Sequence, residues 1–242
     1  MKKWIALFIA GMLVGLIISS ILLSRSQSEE PVLDSSAELS AHSTTKPDVL
    51  TIKDNGTIID LPIHSIPQYE AYLASQEDSK FELERTQYER IDTPSQDHYI
   101  MLKYGCGNKQ CSTSLLKVSD SGINSIEIGQ GIFQDYKLSP DAANLLLRYA
   151  YNEGGKVVRH LIIPINLEKM KRLAFTTEEE TTEFSYEPTW PILEYEWVDH
   201  TQIQIITADI NPSDFTAMQK WHASDAKRAR KVELTIVADY RS

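Results

Sequence analysis

The chain has 242 residues, 42% of them apolar, with 34 acidic against 24 basic side chains and a net charge of −10. This balance argues against nucleic acid and against an anionic lipid surface as partners, since both favour basic patches. It is compatible with a soluble body, a basic partner or loosely held divalent cations.

Trp4 to Leu23, WIALFIAGMLVGLIISSILL, is an uncharged, almost wholly apolar run. As a helix rising about 1.5 Å per residue it spans about 30 Å, which predicts one membrane crossing in contact with lipid. Lys2 and Lys3 precede the run, while Arg25, Glu29 and Glu30 follow it. The positive flank is therefore the N-terminal one, which stays in the cytoplasm. A cleaved signal peptide has a shorter apolar region, about 7 to 15 residues, and ends in an Ala-x-Ala-like site; SSILLSRSQS offers none. The expected organisation is a cytoplasmic tip at 1–3, a single-pass anchor at 4–23, a flexible tether at 24–48 and an extracytoplasmic domain at 49–242. Within the anchor, Gly11, Gly15 and Ser19 recur every four residues, the small-xxx-small spacing through which membrane helices pack and self-associate. The part beyond the anchor holds 22 basic and 34 acidic residues, a balance of −12. Residues 24–48 are rich in Ser, Thr, Glu and Pro and carry too few apolar groups to offset their ordering entropy.

From Val49 onward the pattern is mainly β. VLTIKDNGTIIDL places two apolar-rich runs around Asp54-Asn55-Gly56, a short hairpin signal. Further strand runs are HYIMLKY, TSLLKV, NSIEI, NLLLRYAY, KVVRHLIIPI, ILEYEWV, TQIQIITA and VELTIVADY. Two helices are predicted. In SIPQYEAYLAS, Ser65 can cap, Pro67 lies in the first turn and Ile66, Tyr69 and Leu73 share a face. In NPSDFTAMQKWHASDAKRAR, Asn211 or Ser213 can cap, and Phe215, Met218, Trp221 and His222 recur at helical steps. Lys227 to Lys231, KRARK, reads as the solvated end of that helix.

Two stretches share an order of Ser/Pro/Asp turn, apolar strand, Gly-containing turn and second strand, and Pro94 aligns with Pro140 at a spacing of 46 residues. A third copy begins at EWVDHTQIQIITADI, with Asp199 in the place of Asp141. Residues 93–175 resemble the Ser-Pro-Asp repeats of TolB-like and WD-type β-propellers. That resemblance implies units of one four-stranded blade each. The copies are too few for a full ring, so the expected fold is an antiparallel β domain of blade-like meanders with two short helices.

Cys106 and Cys111 lie in YGCGNKQCST, between two predicted strands. Structural zinc wants four ligands, and no third cysteine exists; a thioredoxin-like pair needs two intervening residues at a helix start. A disulfide closing the hairpin is the expected state. No Gly-x-Ser-x-Gly, His-Glu-x-x-His or phosphate-binding glycine loop occurs, and Ser114-x-x-Lys117 falls in a predicted strand. No catalytic residue, cofactor or metal ligand is assigned. The expectation is an extracytoplasmic binding or interaction domain with a protein partner in the cell envelope, and Trp190, Tyr195 and Trp197 as its candidate binding surface. Two other classes stay open: an envelope hydrolase whose carboxylates assemble only in the fold, and a homo-oligomeric membrane protein of envelope stress or development working through Gly11 and Gly15.

Overall fold

The computed structural model describes residues 47–238 apart from 55, 108–109, 177–183 and 185. The expected tip and anchor, with Gly11, Gly15 and Ser19, and nearly all of the tether lie outside the described residues. Among those described, no helix is long and apolar enough to cross a membrane.

The body is mostly β, with antiparallel pairing throughout. β1 (Val49–Asp54) and β2 (Thr57–Pro62) form the expected hairpin, with Asp54 opposite Thr57. Gly56 stands at φ +83°, a conformation glycine adopts without steric cost. A 3-10 turn, Ile63–Ser65, absorbs the residue expected to cap α1 (Pro67–Ala74), so Ile66 occupies the N-cap without a side-chain bond. Ile66, Tyr69 and Leu73 are buried together, as their spacing predicts. The described residues hold three α-helices rather than the two expected there. α2 (Ser79–Arg85) is capped by Asp78, whose carboxylate accepts the Phe81 N–H at 2.9 Å. It buries no residue and so carries no apolar stripe to read.

The remaining strands form one ten-stranded sheet in the order β10-β11-β12-β9-β8-β7-β6-β5-β4-β3. They are β3 (Gln87–Ile91), β4 (His98–Tyr104), β5 (Cys111–Ser119), β6 (Gly122–Leu138), β7 (Asn144–Glu153), β8 (Val157–Asn166), β9 (Lys171–Thr176), β10 (Ile192–Trp197), β11 (Gln202–Ala208) and β12 (Ala229–Ala238). α3 (Phe215–Ala223) interrupts the last two and is capped by Asp214, not by Asn211 or Ser213. KRARK belongs largely to β12 rather than to a helix end.

Pairing divides this sheet into three consecutive meanders. β6 pairs with β5 up to Gly131 and with β7 from Ile132 onward. β9 pairs with β8 through Lys171 and Arg172 and with β12 from Leu173 to Thr176. The first unit is thus β3, β4, β5 and the start of β6; the second is the rest of β6 with β7, β8 and the start of β9; the third is β10, β11, β12 and the end of β9.

Side-chain alternation then stacks the units face to face. Tyr99 and Met101 of the first unit share a core with Leu145, Leu147, Leu161 and Ile163 of the second. The intervening Ile100 and Leu102 face the other way, onto α1 and the β1-β2 hairpin. Leu146 and Ile162 of the second unit pack against Ile203, Ile205 and Leu234 of the third. Strands of the two inner units are buried on both faces, which is why NLLLRYAY and HLIIPI read as continuous apolar runs. β11 is covered on one face only and alternates, with Ile203 and Ile205 inside and Gln202 and Gln204 outward.

The repeat spacing is real in the fold. β4 opens at His98 and β7 at Asn144, the same offset as Pro94 to Pro140. The Asp141 carboxylate accepts from the Ser139 hydroxyl at 2.6 Å and the Ala143 N–H at 3.1 Å; Asp199 accepts from the Thr201 and Gln202 N–H groups, each at 2.7 Å. These bonds hold both carboxyls below their ordinary range. They are turn-forming aspartates at equivalent entries to β7 and β11. The strand order is linear, with β3 and β10 at its ends, so the described sheet is not a closed ring.

Candidate functional site

Charged side chains converge where the second unit meets the edge strand β10. Arg148, a single charge in the apolar run of β7, forks onto Asp135 of β6: its Nε donates to Oδ1 at 3.0 Å and an Nη to Oδ2. Its other Nη donates to Ile192 O at 3.3 Å. The Tyr195 hydroxyl also donates to Asp135 Oδ1, at 2.8 Å. Lys137 donates to Tyr195 O at 2.5 Å, and Trp197 Nε1 donates to Lys137 O at 3.3 Å. The Lys137 and Arg148 cations lie 4.7 and 5.1 Å from the Tyr195 ring centroid, within cation–π range.

The physical cause is local. Among the described strands β10 has no neighbour beyond β11, so its outer carbonyls need partners. Arg148 and Lys137 supply them. Burial, and then the hydrogen bond to the Asp135 carboxylate, push the Tyr195 hydroxyl well above its ordinary range, so it remains a donor at any physiological pH. His160 of β8 lies behind this cluster and accepts the Ile192 N–H through Nδ1 at 3.0 Å. Burial first, and the neighbouring Arg148 cation second, lower its imidazole to about 4.

The surface beside these groups is a groove of about 280 Å³ lined by Asp135, Lys137 and Arg148 together with Leu193, Glu194, Glu196, Gln204 and Ile206. The groove offers hydrogen-bond donors, acceptors and two apolar contacts, and no Ser, Thr, Cys or His lines it. Among the described residues, no group of three or more His, Cys, Asp or Glu is placed to hold a metal ion.

Of the aromatic residues expected to form a binding surface, Trp190 and Tyr195 are interior, 6% and 3% exposed, and only Trp197 keeps a partly exposed ring. Trp190 packs beneath the Arg230 guanidinium, 5.1 Å from its centroid, and Tyr195 anchors the Asp135 cluster. The exposed apolar groups of this edge are Leu193 and Val198 instead. Sequence reading does not single out Asp135, Lys137, Arg148 or His160. The one available signal is Arg148 itself, because a charge inside a doubly buried strand must be paired.

Cys106 and Cys111 are joined in a disulfide, as expected. Tyr104 ends β4 and Cys111 begins β5, so the bond closes the loop of that hairpin. Gly105, at φ +57°, sits where an added Cβ would lie 3.1 Å from the Tyr72 ring. Ser114 is mid-strand, fully buried and paired with the Tyr104 hydroxyl at 3.1 Å, while Lys117 pairs with Asp97, so the Ser-x-x-Lys spacing is incidental.

Comparison with protein-family profiles, with curated proteins and with solved structures finds no match to this chain.

Proposed function

We propose that the chain is a membrane-anchored binding domain that acts outside the cytoplasm, with a body of propeller-blade-like units and a partner-binding edge at β10. The observation that carries this reading is the Cys106–Cys111 disulfide. Structural disulfides persist in oxidising compartments, the destination to which an apolar run behind Lys2 and Lys3 would deliver the body. Binding is favoured over catalysis by the groove along β10. Asp135, Lys137 and Arg148 are engaged with one another and with the strand, while Leu193, Glu194, Glu196 and Val198 remain exposed. The outer carbonyls of Ile192 and Tyr195 are already capped, so recognition there runs through side chains and not through addition of another strand. The partner class is an envelope protein with basic and apolar groups matched to that edge.

The test is labelling of intact cells with a membrane-impermeant maleimide of high mass, with and without prior reduction, read as a gel shift. Labelling only after reduction supports an exported, disulfide-closed domain. Labelling without reduction removes the disulfide, and labelling that needs lysis reverses the orientation. The β10 edge is tested separately: Leu193→Lys with Val198→Lys abolishes crosslinking to the envelope partner, whereas unchanged crosslinks place the binding surface elsewhere.

A further inference from the structure

We propose that the seam between the second and third units is an acid-sensitive joint, latched by two neutral imidazoles that accept main-chain N–H groups across it. The inference does not depend on where the chain resides. The segment Thr189–Ile192 is strapped over β7 and β8 by four bonds, three from β8 and one from β7. His160 N–H donates to Trp190 O at 2.8 Å, and Ile192 N–H donates to His160 Nδ1 at 3.0 Å. Arg159 donates to Thr189 O at 2.5 Å and Arg148 to Ile192 O. Two residues earlier on β8, Val158 N–H donates to His222 Nε2 of α3 at 3.4 Å. Each of these ring nitrogens must keep its lone pair for the bond to exist. Protonation turns it into a donor facing a donor, at two points of one seam.

The surroundings oppose that proton. His160 is faced by Arg148 from β7, Asp135 from β6 and His222 from α3, with Arg159 next to it on β8. Arg230 of β12 stands over Trp190 on the strap. His222 is faced by Arg159 and by Lys227 beyond its helix. The nearby carboxylates are already engaged, Asp135 by Arg148 and Tyr195 and Glu153 by Arg159 at 2.8 Å. Burial lowers both imidazoles, His160 to about 4. The folded state therefore binds fewer protons than the unfolded one below about pH 6.5, so the joint's stability is present above that pH and is lost as pH falls toward 4. The core between the first and second units is built from aliphatic and aromatic side chains such as Tyr99, Met101, Leu145 and Ile163. Acid is thus expected to loosen the third unit first, freeing the strap and the β10 edge.

Hydrogen exchange of the full chain, read by peptide and corrected for the intrinsic pH dependence of exchange, tests this. Between pH 6.5 and 4.5, protection over residues 189–206 should fall by about tenfold per pH unit while residues 98–119 keep theirs. His160→Gln, whose amide oxygen can accept the Ile192 N–H at every pH, should flatten that fall. Equal loss in both regions, or a His160→Gln profile superimposable on wild type, overturns the proposal. Should that variant not fold, the imidazole titration of His160 in the wild-type chain decides: a midpoint well below 6.5 supports the latch and one at or above it refutes it.

Discussion

Gly131 marks the residue where β6 leaves β5 and joins β7, and Gly131→Ala tests whether two layers meet there as closely as the fold requires. A Cβ at this position would lie 2.9 Å from Tyr149 Cδ1, 3.0 Å from the Tyr151 hydroxyl and 3.1 Å from Tyr151 Cζ. Neither ring is free to retreat. Tyr149 is 1% exposed, bonded to Thr113 at 2.8 Å and in edge contact with Phe133 at 5.7 Å; Tyr151 donates to Gln130 O at 2.6 Å. Overpacking of this kind costs about 1–3 kcal/mol, against which alanine recovers about 0.5–1 kcal/mol of glycine's entropy in a strand. The net loss should be about 1–2 kcal/mol. For a domain of this size it lowers Tm by roughly 2–8 °C, since each kcal/mol corresponds to about 2–4 °C. Urea denaturation followed by tryptophan fluorescence measures it. Gly107→Ala, with open space around the added Cβ, is the control and should be near neutral. Adding Tyr151→Leu should cost less in the Gly131→Ala background than in wild type, because the two side chains compete for one volume. If Gly131→Ala behaves like Gly107→Ala, the close approach of β6 to the Tyr149–Tyr151 pair is refuted.

Ala142 stands at φ +56° in the turn that the Asp141 carboxylate organises. Ala142→Gly removes a left-handed penalty of about 1–2 kcal/mol and adds up to about 1 kcal/mol of chain entropy, so a Tm gain of roughly 1–3 °C is expected by calorimetry. Replacing both Cys106 and Cys111 by serine should cost roughly 2 kcal/mol, the chain-entropy value for so short a loop, and a reducing agent should lower the wild type to the same level; denaturation with and without reductant compares them. Asp135→Asn leaves Arg148 without its carboxylate and should cost about 2 kcal/mol, the scale of a charge-assisted hydrogen bond. Tyr195→Phe in that background should add little, and full additivity in a double-mutant cycle would show that the three groups are not one network.

The strand content, the Asp54–Thr57 hairpin, the 46-residue repeat, the Cys106–Cys111 closure and the apolar faces of α1 and α3 were all legible in the linear chain. The repeat shows as self-similarity at a fixed offset, and the others rest on interactions between near neighbours or on a period of two or of about three and a half residues, all of which one pass along the sequence records. Asp141 and Asp199 belong here too, because each bonds the main chain two residues on. α2 escaped because none of its residues is fully buried and it imposes no apolar period. β3 is a short edge strand with the pattern QYERI, and β9 divides its hydrogen bonds between β8 and β12, so neither carries the signature of a complete sheet strand.

The candidate site belongs to the tertiary structure. Arg148 and Asp135 are 13 residues apart, Tyr195 lies 60 residues from Asp135, and His160 receives an amide 32 residues away. No spacing rule links such positions. They are brought together because β6 passes from one unit to the next and β10 is left with an uncovered edge, whose carbonyls recruit the nearest cations. The same stacking decided the fate of Trp190 and Tyr195, which composition alone leaves as readily on a surface as in a core. Sequence determined which segments are strands and where the chain turns, because those choices are local; only the stacking of the three units determined which charges meet, because that depends on which faces are buried against each other.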